Sequence, residues 1–376
     1  MKKIFLLITV SLFLSSTFFF TSCKKEETPT TPSEAEIIES SIQAVLDSII
    51  ENTHVPGLVA GVWAPDEDID FVYTAGVSNI ESSAPMDADM IFRIASNTKS
   101  ITITVLLQLV DEGLISLDDP LSDYLPDFPR ANEVTIEMLT NMRSGIFNFT
   151  ESVEFFNILF AQPTRTWTTE EFIAIAAEHP YYFDPGNGFH YSNSNTIIVG
   201  KIIEIITGFS LEYNIRTRIF DPLELINTVY LVGGTQIPGY HSSAYYGGDY
   251  EPELPDLSEY FDNSYAGAAG AAISNIYELK TFAKALVEGQ FISPELQLKR
   301  LDCHEMRSID GMKYGMGIFE YKGFYGHNGG MFGYTSLMIH SLEKNCTIII
   351  WYNCQLAEDD PTQLITMIPH IIYPDI

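Results

Sequence analysis

Basic side chains are scarce in this chain of 376 residues: 20 Lys and Arg stand against 50 Asp and Glu, a formal net charge of -30. A surface of that sign repels phosphate backbones, which argues against nucleic acid as a partner. Cysteine is nearly absent, with four residues. No Cys/His spacing matches a zinc site and no H-E-x-x-H occurs, so neither a metal nor another cofactor is expected. The G-x-S-x-G elbow of ordinary lipases is missing too. No Ala precedes Ala35, so the N-terminus lacks the small A-x-A cleavage site of common secretory signals. Apolar residues are plentiful, at 46% with 12% aromatic, enough for the core of one large or two modest domains.

Met1-Lys2-Lys3 followed by apolar Ile4 to Phe20 has the basic start and apolar middle of an export signal. The apolar run ends in Thr21-Ser22-Cys23, which resembles a bacterial lipoprotein signal whose Cys becomes the lipidated first residue. An uncleaved membrane anchor is the competing reading, since about 17 apolar residues only just suffice to span. The expected organisation is a signal over 1–22, a Pro/Thr-rich tether over 23–35 and one folded domain over 36–376. The protein is then held to the membrane of the cell envelope through the lipid on Cys23. Without Cys23, three cysteines remain. Cys346 and Cys354 bracket a continuous strand pattern and would stand roughly 25 Å apart at ~3.3 Å per residue. A disulfide would need Cys303, and buried free thiols are equally consistent.

Apolar spacing predicts a helix over Ile37 to Ile50 and strands over Gly57 to Trp63 and Phe71 to Ala75. Helical patterns then dominate: Thr102 to Val110, Ile136 to Met142, Thr168 to Ala177 and Asn195 to Thr207. After another helix, Ile276 to Val287, strands are expected at Lys313 to Phe319, Met331 to His340 and Cys346 to Trp351, with a last helix over Pro361 to Ile371. Strands at both ends of the chain with helices between them predict an α+β fold. Its terminal segments, about 36–95 and 265–376, share one antiparallel sheet, and 96–264 form an inserted, mainly helical part.

The chemistry is concentrated in three short segments. S-x-x-K occurs at Ser22/Lys25, Ser96/Lys99 and Ser341/Lys344. Only Ser96 stands where a strand-like stretch, Met90 to Ile94, meets a long helix pattern. At a helix start, Ser96 and Lys99 share a face, so a lysine of depressed pKa can take the hydroxyl proton. Tyr191-Ser192-Asn193 follows the turn Asp184 to Gly188, and Tyr191 and Asn193 in an extended segment point one way. Coupled to Lys99, Tyr191 is the expected general base in acylation and general acid toward the leaving group. In His327-Asn328-Gly329-Gly330 the glycines let a strand approach a ligand closely. The amides of Gly330 and Ser96 are the expected oxyanion hole. His327, partly cationic near neutral pH, would orient a substrate carboxylate or polarise Tyr191.

These segments, together with Phe92 to Lys99, Leu107 to Gly113, Leu117 to Pro126, Thr135 to Ile146, Phe183 to Gly186, Ala266 to Ser274 and Gly326 to Tyr334, resemble the serine beta-lactamase-related family. That family includes class C beta-lactamases, D-alanyl-D-alanine carboxypeptidases and family VIII esterases. The resemblance covers about residues 36 to 376 and implies a sheet flanked by terminal helices, an inserted helical domain and a site in the groove between them. It implies Ser96 as the acylated nucleophile, Lys99 and Tyr191 as its activators, Asn193 as a ligand of substrate amides, and His327-Asn328-Gly329 as the third motif. There, class C enzymes carry K-T-G, and Met142-Arg143 replaces the commoner His-Thr. The expected function is a serine hydrolase working through an acyl-enzyme, with a peptidoglycan stem peptide ending in D-Ala-D-Ala as first substrate. An esterase, a weak beta-lactamase or a non-catalytic binding module are the alternatives. Specificity should reside in loops such as Ile146 to Thr166 and Val232 to Asp262, where Tyr245 to Tyr250 is aromatic and acidic.

Overall fold

The computed structural model describes residues 32–247, 256–306, 311–356 and 364–376. Cys23, the expected signal and most of the expected tether lie outside the described residues. Helix α1 (Glu34–Asn52) starts with a reciprocal cap, in which the Ser33 hydroxyl accepts from the Glu36 amide and the Glu36 carboxylate accepts from the Ser33 amide. Its Ile42 and Leu46 are fully buried against the sheet. Strands β1 (Gly57–Ala64), β2 (Ile69–Asn79) and β3 (Ala84–Pro85) follow as an antiparallel meander.

The chain returns to this sheet near its end with β8 (His304–Glu305), β9 (Lys313–Tyr314), β10 (Phe319–Tyr321), β11 (Phe324–Met331), β12 (Tyr334–Ser341) and β13 (Cys346–Tyr352). The order across the sheet is β3-β2-β1-β13-β12-β11-β10-β9-β8. Every residue of β1, β12 and β13 is buried, because helices cover both faces. Successive side chains alternate between two cores: Val59, Met338, Ile349 and Trp351 face one, Leu58, Leu337, Ile348 and Ile350 the other. Helices α1 and α10 (Leu364–Ile372) pack together beside the second core, and α8 (Ile276–Val287) lies on β12 and β13.

Between the two parts of the sheet run α2 (Asn97–Asp111), α3 (Ile136–Thr140), α4 (Val153–Ala161), α5 (Thr169–Glu178), α6 (Asn193–Thr207) and α7 (Leu211–Ile215), and α9 (Pro294–Leu301) precedes β8. A small sheet of β4 (Phe92–Arg93), β5 (Val229–Tyr230) and β7 (Ala272–Ser274) and a parallel pair of β6 (Tyr245–Gly247) and β14 (Cys354–Leu356) complete the description. This is an α+β fold, with the antiparallel sheet and inserted helical part that the resemblance implies.

Three expected strands differ. Met331 to His340 starts on the last residue of β11 and turns at Gly333 (φ +90°) before β12 begins at Tyr334. Lys313 to Phe319 is two strands, β9 and the start of β10, because Gly317 takes φ +70° and turns the chain. Of Met90 to Ile94 only Phe92 and Arg93 pair as a strand, with β7. Among the described residues no disulfide joins Cys303, Cys346 or Cys354, and the last two are buried. Reducing agent should therefore leave the thermal midpoint unchanged, and Cys346 and Cys354 should react with a thiol reagent only after unfolding. A midpoint that falls on reduction would contradict this assignment.

Candidate active site

Ser96 stands where β4 has ended and α2 begins. The preceding Ala95 holds φ +48°, a left-handed backbone that a side chain disfavours. That turn leaves Ser96 partly exposed while Asn97, Thr98 and Lys99 are wholly buried. Hydrogen bonds hold it: Asn97 Nδ2 donates to the Ile94 carbonyl (2.8 Å) and to Ser336 Oγ on β12 (2.9 Å), and the Ala272 amide of β7 donates to Thr98 Oγ1 (3.1 Å). Lys99 Nζ donates to Ser96 Oγ (2.8 Å) and to the Ala269 carbonyl (2.9 Å). Burial pushes its pKa well below the ordinary lysine value.

Tyr191 is delivered by a loop whose backbone is tied to the segment after α3: Tyr182 to Gly145 (2.8 Å), Gly186 to Arg143 (2.9 Å) and His190 to Met142 (3.1 Å). Lys99 Nζ lies 4.9 Å from the centre of the Tyr191 ring. Burial raises the phenol above its usual range, opposed by a hydrogen bond with Ser96. Burial thus disfavours the charged form of both groups, the ammonium of Lys99 and the phenolate of Tyr191. Lys99 is then the group placed to accept the Ser96 proton. The upward shift of the Tyr191 phenol favours its expected acid role over its expected base role.

His327 lies in β11 and is 1% exposed. Its Nδ1 is 2.5 Å from the Asn328 carbonyl, which can only accept, so Nδ1 carries the proton and Nε2 accepts from the Tyr314 hydroxyl at 3.0 Å. Burial and the charge of Lys99 lower its pKa to about 3, against the opposing effect of the Asn328 carbonyl. The expected part-cationic imidazole is therefore neutral, and its acceptor nitrogen is occupied by Tyr314. Next to it, a Cβ on Gly329 would lie 2.3 Å from the Ile94 carbonyl oxygen and 3.0 Å from Ala95 Cβ. Glycine there lets β11 press against the Ser96 turn. Asn193 is the first residue of α6, not part of an extended segment, because Ser192 takes the N-cap position. Its amide donates to Asn148 Oδ1 (3.0 Å) and its Nδ2 to Thr150 Oγ1 (2.8 Å).

Ser96 and Gly330 border two cavities. The first, about 460 Å³, is lined by Asn193, Thr150 and Gln355 and by the rings of Phe149, Phe155, Phe156, Phe160, Tyr246, Tyr265 and Phe332, with no charged side chain among its described lining residues. Phe332 is the hub of this box, 5.4 Å from the Phe160 ring, 5.0 Å from Tyr246 and 6.1 Å from Tyr265. The second, about 720 Å³, is lined by Tyr191, His327, Asn328, Tyr314, Phe189, Phe319, Met306, Met312, Asn148, Glu151 and His190. So the structure brings Ser96, Tyr191, His327, Asn193, Asn328 and Gly330 to one cleft, with Lys99 buried beneath Ser96 and Gly329 behind β11. Sequence reasoning missed Tyr314, Glu151 and the aromatic box. The Phe-rich run 147–160 was the available signal for the box.

Residues 42–367 match the family model described as Beta-lactamase. The chain is 24% identical to penicillin-binding protein 4* of Bacillus subtilis (strain 168) over 353 residues, 88% of this chain and 75% of that protein. Among solved structures it superposes on a D-stereospecific amidohydrolase from Streptomyces sp. with a TM-score of 0.80 and 28% identity, over 90% of this chain and 99% of that one. It is equally similar in fold to D-amino acid amidase from Ochrobactrum anthropi SV3 complexed with D-phenylalanine, with a TM-score of 0.80 and 25% identity over 90% and 100% of the two chains. With a family match across most of its length on the fold and cleft described above, the chain belongs to the beta-lactamase family and is a serine hydrolase.

Proposed function

We propose that the protein cleaves amide or ester bonds whose acyl group is bulky and apolar, with D-phenylalanine amide as the model substrate. The observation that carries this reading is the aromatic box beside Ser96. A D-alanyl methyl group would leave most of it unfilled, whereas a benzyl side chain contacts rings on several sides. The similarity to an amidase complexed with D-phenylalanine and with L-phenylalanine amide supports the ring, and the similarity to a D-amino acid amidase and a D-stereospecific amidohydrolase supports the D configuration.

Charge argues in the same direction. A D-alanyl-D-alanine carboxypeptidase must hold the terminal carboxylate of its substrate. Neither cavity has a Lys or Arg among its described lining residues, His327 is neutral, and Glu151 contributes a negative charge. The carboxypeptidase expectation is therefore the second reading. An ester of the same acyl group fits the box equally and needs the same Ser96.

In this reading the Lys99 amine takes the Ser96 proton as Oγ attacks the scissile carbonyl carbon. The carbonyl oxygen becomes an oxyanion facing the amides of Ser96 and Gly330, each lowering the barrier by about 3 kcal/mol. Tyr191 protonates the leaving nitrogen or oxygen as its bond to carbon breaks, and regains a proton from the Lys99 ammonium. Water then repeats the attack on acyl-Ser96 and releases the acid.

Steady-state hydrolysis of D-phenylalanine amide, D-alanine amide and a peptide ending in D-Ala-D-Ala tests this. The kcat/KM for the first should exceed the others by about tenfold or more, and Ser96→Ala should remove all turnover. Preference for the peptide, with a benzylpenicillin adduct on Ser96 by intact mass, would replace the amidase reading with the carboxypeptidase one.

A further inference from the structure

The second cavity is far larger than a simple amide requires. Its assignment below depends on Ser96 being acylated as proposed above. Tyr191, the proton donor to the leaving group, lines the second cavity and not the first. A substrate whose carbonyl lies between Ser96 and Gly330 therefore directs its leaving group into the second cavity. That space is about 720 Å³, whereas ammonia needs little more than the roughly 30 Å³ of a water molecule. A larger leaving group belongs there.

Its walls indicate the charge of that group. Phe189, Tyr314 and Phe319 present rings, and among the described lining residues Glu151 is the sole carboxylate, with no Lys or Arg. Glu151 is held in place: Oε2 accepts from the Tyr182 hydroxyl (2.7 Å), and Oε1 from His190 Nε2 (3.0 Å) and Asn148 Nδ2 (3.2 Å). Partial burial opposes its charge, but these three donors, with the charge His190 carries when protonated, outweigh that and hold the carboxyl below its usual range, and a cationic group would compete with His190 for it. A fixed carboxylate close to aromatic faces favours a cation on both counts. The net charge of -30 adds a field that draws cations toward the protein.

We propose that the second cavity is a subsite for a cationic leaving group, an amine or alcohol carrying a further ammonium, recognised by Glu151 among the ring faces. Three amides test it. N-acetyl-D-phenylalanine joined to pentylamine has a neutral leaving group, the same acid joined to putrescine has a cationic one of equal length, and D-phenylalanine pentylamide has its ammonium on the acyl side. The purified protein should turn over the putrescine amide with a kcat/KM about tenfold above the acetylated pentylamide. That ratio should fall toward one in Glu151→Gln, and should also fall for the native protein in about 0.5 M salt, which screens charge over a few ångströms.

A native ratio near one, or a ratio that Glu151→Gln leaves intact, overturns the proposal. Selection for the free α-ammonium of the third amide, lost in Glu151→Gln, also overturns it by placing the cation on the acyl side. Equal Ser96-dependent turnover of all three removes the leaving-group assignment and keeps the acyl-hydrolase reading. Failure of every amide to show Ser96-dependent turnover removes both.

Discussion

Replacing Lys99 with methionine should lower kcat/KM by roughly 10³–10⁴-fold and raise the melting temperature in neutral and acidic buffer. The two effects share one cause. Lys99 is fully buried, and among the described residues its Nζ meets no carboxylate: it donates to Ser96 Oγ and the Ala269 carbonyl and lies over the Tyr191 ring. An ammonium without a carboxylate there opposes folding, and its proton is easily lost, which suits the amine to the base role proposed above. Its pKa is lower in the folded chain than in the unfolded one, so the unfolded chain binds the proton more tightly and this group's effect on stability improves as pH rises. The penalty is complete below the depressed folded value and shrinks as pH climbs toward the unfolded value of 10.5, above which it is gone. Methionine, of similar length and uncharged, removes it, less the hydrogen bond lost at Ala269. Thermal melts across pH should show the largest gain in acid and none near pH ten. A gain that grows with pH, or native kcat/KM in the variant, would exclude Lys99 as the base.

Residues near one another in sequence were legible; partners brought together from distant segments were not. The helix pattern Ile276 to Val287 is α8 with the same bounds, and Gly57 to Trp63 is β1 less one residue. These segments are decided by apolar spacing and by local caps such as Asn275, whose side chain accepts from the Glu278 amide. The Ser96–Lys99 pair was readable for the same reason, since one turn of helix fixes it. The protonation state of His327 was not. It depends on Tyr314, which approaches across β9 to β11, and on burial that no local pattern encodes. Glu151, His190 and Tyr182 likewise come from two loops and meet only in the fold. The position of Asn193 was misread because Ser192 can serve either an extended segment or a helix cap, and packing of α6 against α2 settles it.

Gly329→Ala should lower kcat by roughly 10²–10³-fold with a smaller change in KM, and destabilise the protein by about 1–3 kcal/mol. The added carbon would fall 2.3 Å from the Ile94 carbonyl oxygen and 2.7 Å from Ser336 Oγ. These are the atoms that brace the nucleophile turn, since Asn97 Nδ2 donates to both and Ser336 Oγ donates to the Ile94 carbonyl at 3.2 Å. One of them is backbone and cannot swing aside, so β11 must move away from the Ser96 turn. In the mechanism proposed above, that motion would separate the amide of Gly330 from the amide of Ser96, and an oxyanion hole works only when both donors converge on one oxygen. Substrate binding depends more on the two cavities, which is why the loss falls mainly on kcat. Gly330 provides the comparison: a Cβ there meets only the flexible end of Gln355, 3.3 Å away, so Gly330→Ala should cost less than half as much stability. Denaturant titration of both variants and steady-state kinetics of Gly329→Ala measure these terms separately. If Gly329→Ala loses stability but keeps native kcat, the close approach of β11 to the Ser96 turn serves packing and does not set the geometry of the reacting carbonyl.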